Sequence, residues 1–172
     1  MQSKARNLAN FVLDNFEKEL CEAFRFCEGL KLPQRVCQGK IIWAEMTDSP
    51  CFIYDNKGMY INQTCYFIPR NDKYLCAVLN SRLIYFYMKQ IASGLGSGAL
   101  RWIKQFIEKL PIPKITESNK PLCDEIIQCV EKILESKAKD STLDTSKLES
   151  KIDSLVYKLY NLSDNEIKII EN

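Results

Sequence analysis

Between Lys40 and Pro69 four short β-rich runs crowd into thirty residues, and this crowding limits the fold more than any other stretch. The runs are Ile41-Ile42-Trp43, Cys51-Phe52-Ile53-Tyr54, Met59-Tyr60-Ile61 and Thr64-Cys65-Tyr66-Phe67-Ile68. Each is rich in β-branched and aromatic residues, which suit a pleated, half-buried surface. Asp55-Asn56-Lys57-Gly58 is a turn signal, and Pro69 closes the series. No crossover helix is needed between the runs, so neighbouring strands are expected to be antiparallel.

The flanks of this region follow a different period. Over 8–28, Leu8, Phe11, Val12, Phe16, Leu20, Ala23, Phe24 and Cys27 recur at helical spacing, and Gly29 and Pro33 close that helix. After the strands, Asn71 or Asp72 is placed to cap a helix reaching about Ala92. Its apolar residues Tyr74, Leu75, Val78, Leu79, Leu83, Phe86 and Tyr87 point to burial against the sheet. Ser93-Gly94-Leu95-Gly96-Ser97-Gly98 is a loop. Leu100 to Ile103 read as a strand, and Phe106 to Pro113 as an extended exit that Pro111 and Pro113 keep from being helical.

The last third is helical. Pro121 suits the first turn of a helix carrying Leu122, Ile126, Val130 and Ile133, and the polar residues 137–145 form a connection. Ser146 with Glu149, and Ser163 with Glu166, match capping boxes. Leu148, Ile152, Leu155, Leu159 and Leu162 alternate spacings of four and three, a heptad seam of two heptads. The fold class is therefore α+β: a small, mostly antiparallel twisted sheet with packed helices, followed by a C-terminal antiparallel helical hairpin. The expected divisions are 1–39 as an N-terminal helix and linker, 40–114 as the core, and 115–172 as the hairpin or spacer.

Composition narrows the chemistry. The chain has no His, which excludes Ser-His-Asp and Cys-His catalysis and Cys-His zinc sites. None of the eight cysteines forms a Cys-x2-Cys pair, and most lie in apolar stretches where a thiol acts as a small hydrophobe. The longest apolar run, Leu83 to Met88, is far short of the ~20 residues that span a bilayer. With no signal-like start recognised, a cytoplasmic setting with reduced thiols is expected.

Two Glu-x-Lys matches, Glu149-Ser150-Lys151 and Glu166-Ile167-Lys168, fall on C-terminal helices without an acidic strand partner, so solvated helix faces explain them better than a nuclease centre. The Gly94-x-Gly96-x-Gly98 loop is neither a dinucleotide fingerprint nor a Walker loop. No Asn-Pro-Pro-aromatic motif of an adenine methyltransferase is present. No self-contained active site is visible.

Charge is distributed unevenly. Residues 31–114 carry twelve basic and five acidic side chains, a net of +7, whereas 115–172 carry −4 and 1–30 carry −1. The overall +2 hides a basic middle with interleaved aromatics. Such a surface can meet phosphates, and a Gly-Ser loop lets backbone N–H groups approach one closely. An ordinary α+β surface with core aromatics has the same composition.

The order of motifs goes further. Lys40-Ile41-Ile42-Trp43-Ala44-Glu45-Met46 is followed by Phe52-x-Tyr54-Asp55-x-x-Gly58-x-Tyr60-x-Asn62-x-Thr64-Cys65-Tyr66-Phe67. Then come Tyr74-Leu75-x-Ala77-x-Leu79-Asn80-Ser81, Phe86-Tyr87, Gly94-x-Gly96-Ser97-Gly98, Arg101 and Leu110-Pro111-Ile112-Pro113. In this order and spacing they resemble the TaqI-like C-terminal specificity domain, or target recognition domain, of type IIG restriction–modification enzymes, with relatives in type I specificity subunits. The tail 153–162 resembles the helix that ends such proteins, so the resemblance covers about 40–172; residues 1–39 fall outside it.

The resemblance implies a reader of duplex DNA sequence. Catalysis would belong to adjoining methyltransferase and nuclease domains or a partner subunit. S-adenosylmethionine and Mg2+ would serve those parts and no cofactor this chain. Lys40, Lys57, Lys73, Arg101 and Lys104 are then phosphate candidates, with solubility as their ordinary role. Trp43, Tyr60, Asn62, Thr64, Ser97, Gly98 and Trp102 are candidates for the groove-facing surface. Their ordinary roles are core packing for the aromatics and turn capping for Asn62 and Thr64. The competing function is a protein–protein assembly module, in which the C-terminal helices self-associate or dock a methyltransferase.

Overall fold

The computed structural model describes residues 39–92 and 98–172. The expected helix over 8–28, Cys21, Cys27, Cys37 and the 93–97 part of the Gly-Ser loop lie outside the described residues.

The sheet is built around one short strand. β1 (Lys40–Ala44) is flanked by β3 (Ile53–Asp55) and β4 (Cys65–Ile68) in the order β3-β1-β4. Its partners are Lys40↔Asp55, Ile41↔Tyr54 and Ile42↔Ile53 on one side, and Ile41↔Ile68 through Ala44↔Cys65 on the other. A separate ribbon pairs β2 (Met46–Thr47) with β5 (Leu100–Arg101). Every pairing is antiparallel, as expected. Side chains alternate faces, so Ile41 and Trp43 turn into the core with Ile68, while Lys40 and Ile42 share the opposite face with Asp55, Ile53 and Phe67.

β3 and β4 both oppose β1 and so run parallel to each other on its two flanks. Residues 56–64 therefore carry the chain from one flank of β1 to the other. The β-rich run Met59-Tyr60-Ile61, expected as a strand, lies in this segment and forms none. The cause is local: the Asp55 carboxylate accepts the N–H groups of Lys57 and Met59, each at 2.8 Å, which bends the backbone away from any ladder. Gly58 completes the bend at φ +75°, a conformation L side chains avoid.

The single helix expected from 71 or 72 to about 92 is two helices, α1 (Lys73–Leu79) and α2 (Arg82–Ile91). Asp72 caps the first, accepting the Leu75 N–H at 2.8 Å. Asn80 and Ser81 make the joint. Ser81 caps α2 and also donates from its hydroxyl to the Val78 carbonyl. Asn80 grips the chain before β3: its Oδ1 accepts the Phe52 N–H at 3.0 Å and its Nδ2 donates to the Phe52 carbonyl at 2.8 Å. Side-chain bonds to backbone compete here with helix continuation.

The strand expected over Leu100–Ile103 stops at Arg101, and the exit expected to be extended from Phe106 begins with a short helix, α3 (Lys104–Ile107). The Ile103 carbonyl accepts from both Phe106 and Ile107, closing a helical turn before the prolines take effect. Beyond it the Leu110-Pro111-Ile112-Pro113 segment is buried and non-helical, with the Ile112 N–H donating to the Leu110 carbonyl at 3.1 Å. Its prolines have no N–H to satisfy, and their carbonyls accept from two tyrosine hydroxyls: Pro111 from Tyr160 at 2.7 Å, and Pro113 from Tyr74 at 2.8 Å.

α4 (Lys120–Lys139), α5 (Ser146–Leu159) and α6 (Asp164–Glu171) complete the chain. Pro121 sits in the first turn of α4, as expected. Ser146 is not the cap of α5. Thr145 occupies that position, one residue earlier, and donates its hydroxyl to Glu149 at 2.6 Å. The Ser163–Glu166 capping box is present. α4 and α5 form the expected hairpin, with α4 packed on α1 and both α5 and α6 on α2. A single hydrophobic cluster runs from Ile41 to Ile170. Ile152, Leu155 and Leu159 of the heptad seam are buried in it, with Leu148 and Leu162 packed at its edge. The seam is thus occupied by the chain's own core. Among the described residues no helix is long and apolar enough to cross a membrane.

Candidate nucleic-acid interface

An aromatic brace joins the ribbon to the sheet. Trp43 lies within 5.4 Å of Phe52 and stacks on Tyr66 at 5.7 Å, while Trp102 meets Phe52 edge-on at 5.7 Å and stacks on Tyr85. The Trp43 indole donates to the Trp102 carbonyl at 2.6 Å, and the Trp102 indole to the Thr47 carbonyl at 3.2 Å. Both tryptophans are almost wholly buried. They cannot face a groove, and their ordinary role of core packing is the one they fill.

Glu45 ties the ribbon to the end of the crossing segment. Its N–H donates to the Thr64 carbonyl at 2.9 Å, its carbonyl accepts the Trp102 N–H at 2.7 Å, and its carboxylate pairs with Arg101. The exposed residues Asn62, Thr64 and Arg101 are thereby gathered at one rim. Asn62 Oδ1 accepts both the N–H and the hydroxyl of Thr64, at 3.1 and 2.8 Å. It shapes the turn into β4, the ordinary role foreseen for both residues. Arg101 remains half-exposed, and Glu45 raises its pKa further through a hydrogen bond and its charge, so it stays a fixed cation.

The other named residues scatter. Lys40 is fully buried, so it cannot be a phosphate ligand. Its Nζ lies 2.9 Å from Asp55 Oδ2, and Asp55 is equally buried. Burial alone would push the Asp55 carboxyl up. The Lys40 ammonium and the N–H groups of Lys57 and Met59 outweigh it and hold the pKa below its ordinary 3.8. Lys73 is drawn to the helical side by Glu131, 2.6 Å away on α4. Lys57 is exposed at the start of the crossing segment, and Tyr60, at 70% exposure, is its most open large hydrophobic side chain, next to Met59 at 52%. Lys104 is half-buried at the start of α3. Gly98, at φ +85°, is exposed, and Ser97 lies outside the described residues.

Of the described candidates, Lys57, Tyr60, Asn62, Thr64, Gly98 and Arg101 are thus the exposed ones, on the crossing segment, on the adjoining ribbon and just ahead of it. Sequence reasoning missed Asp55 and Glu45, which shape this surface. The signal for Asp55 was the Asp-x-Lys-Gly turn pattern; Glu45 stood only within the Lys40–Met46 motif. A cleft of about 680 Å3 lies elsewhere, between the α1–α2 joint and the α4–α5 hairpin, and none of the named residues lines it.

The Glu-x-Lys pairs have structural partners: Lys151 pairs with Glu125 at 2.6 Å, and Glu149 and Glu166 serve helix starts. Among the described residues no group of three or more Cys, Asp and Glu side chains is placed to hold a metal ion. Five cysteines are free there, and burial pushes the Cys76 thiol up to about 12, which suits a packing role.

The chain belongs to the TaqI-like C-terminal specificity domain family, whose pattern matches residues 3–112. The match starts far ahead of Lys40, so residues 3–39, expected to lie outside the resemblance, are part of the matched span. It ends at the Leu-Pro-Ile-Pro exit, ahead of the helical hairpin. The chain is also 25% identical over 145 residues to the type II methyltransferase M.BstVI of Geobacillus stearothermophilus. That alignment takes in 81% of this chain and 23% of the relative, so the chain spans about a quarter of that protein's length.

Proposed function

We propose that this chain is the sequence-specific duplex-DNA reader of a type IIG restriction–modification enzyme. The crossing segment 56–64 and the β2–β5 ribbon would form the DNA-facing surface. Methylation of adenine and strand cleavage, with S-adenosylmethionine and Mg2+, would belong to domains or subunits outside this chain. Membership of a specificity-domain family carries the reading, and the +7 charge of residues 31–114 supports it. Lys57 and Arg101 would meet phosphates and Tyr60 would reach the bases, with Lys104 beside them. An assembly role through the hairpin is less favoured, because the seam that suggested it is spent on the internal core.

The test is anisotropy titration of the full chain against duplexes of varied sequence at several salt concentrations, repeated with the methyltransferase partner present. With Lys40 buried and Lys73 turned to α4 by Glu131, the candidate cations left are Lys57, Lys104 and Arg101, the last exchanging Glu45 for a phosphate, and neutralisation of about three phosphates predicts a log–log salt slope near −2.7. Tyr60→Ala is expected to lower discrimination between sequences while leaving that slope unchanged. Salt-independent binding, or none to any duplex even with the partner, would sink the proposal.

A further inference from the structure

The buried Lys40–Asp55 pair is the least ordinary feature of the sheet. Two opposite charges lie 2.9 Å apart with 0% and 1% of their side chains exposed, at the register position where β1 begins and β3 ends. Such a pair is weak evidence for stability, since apolar replacements of similar volume often serve the fold equally well. What an apolar pair cannot do is hold loop amides. The Asp55 carboxylate uses one oxygen for the Lys57 N–H, and the other for both the Met59 N–H and the Lys40 ammonium. The next residue is Tyr60, whose ring stands in solvent.

The geometry points to Lys40 and Asp55 as positioning residues for target discrimination: the pair fixes the first turn of the crossing segment so that Tyr60 is presented in one orientation. This rests on the DNA-reading role proposed above and adds a specificity function to two residues that cannot touch DNA. Lys40 neutralises and orients the carboxylate. Asp55 then aligns the backbone of residues 57–59, and Gly58 supplies the turn that the alignment requires.

The test uses the full chain and its Lys40→Met/Asp55→Leu double variant. A pool of random-sequence duplexes is bound, and the bound fraction is sequenced. Amide exchange is followed at Lys57 and Met59. The expected variant keeps a cooperative melt and the wild-type salt slope, loses protection at those two amides, and shows about tenfold weaker enrichment of its preferred sequence. A purely structural role would instead lower binding to all sequences alike. Retained protection, or retained enrichment after protection is lost, overturns the assignment. Wild-type protein that enriches no sequence overturns the DNA reading itself, whereas the exchange data still report whether the pair holds the segment. Should the double variant fail to fold, Gly58→Val displaces the same turn through its φ of +75°, which a β-branched residue avoids, without touching the pair, since an added Cβ meets open space. Unchanged enrichment in that variant overturns the assignment as well.

Discussion

Asp55 holds the Lys57 and Met59 N–H groups and the Lys40 ammonium, and its protonation is predicted to be visible in stability. Its pKa is held low in the folded chain, so its contribution is complete above the unfolded value and is lost as pH falls through the folded one. Urea unfolding followed from about pH 6 to about pH 3 should show an acid limb that is shallower in Lys40→Met/Asp55→Leu. Tyr160 gives a second prediction. Its hydroxyl is the buried donor to the Pro111 carbonyl, and Tyr160→Phe leaves that carbonyl unpaired. A loss of about 1–2 kcal/mol in chemical denaturation is expected, with the fold intact. The tryptophans mark the limit of reading single residues. An indole near basic side chains suits a groove and a core equally. Only the register that sets Trp43 beside Ile41 and the ribbon that brings Trp102 over it decide between them. Lys40 misled for the same reason, because its burial depends on Asp55, fifteen positions away across the sheet.

Among the elements, the Asn80–Ser81 joint shows how side chains interrupt an otherwise unbroken apolar pattern. Residues 74–88 have the composition of one helix. The break comes from bonds that hydrophobic periodicity does not encode, above all the two that Asn80 makes with the Phe52 backbone. Asn80→Ala is expected to cost about 1–2 kcal/mol in thermal or urea melts and to free the segment leading into β3, seen as faster exchange at the Phe52 amide. The C-terminal helices were more legible, since caps and proline positions act within a few residues. There the error was a one-residue shift from Ser146 to Thr145. The strand expected at Met59–Ile61 failed because a carboxylate from the preceding strand took its first amide. The exposed Lys57–Arg101 surface was legible as residue types and order, but not which of those residues reach solvent.

For the molecule as a whole, the helical hairpin is integral to the core. Leu155 sits among buried side chains of one continuous cluster. Leu155→Lys should therefore destabilise the chain by more than about 3 kcal/mol, and by the same amount at every protein concentration. Sedimentation alongside denaturation checks this: dissociation of an oligomer without loss of stability would contradict it. The unequal charge along the sequence also has a spatial counterpart, because the acidic third supplies Glu131 to Lys73 and Asp153 to Arg82. Part of the middle's positive charge is thus neutralised by the helical third, whereas Arg101 is paired within the middle itself, with Glu45.

The path of residues 56–64 has a consequence for how such a chain diversifies. The segment leaves one edge of a buried strand and returns at its other edge, while its most exposed side chains contribute little to the interior. Its two attachment points are set by Asp55 at one end and by the Asn62–Thr64 turn at the other. A replacement of similar reach could be grafted between them without redesigning the layers beneath, so new preferences could arise by exchange of a short cassette on a constant frame.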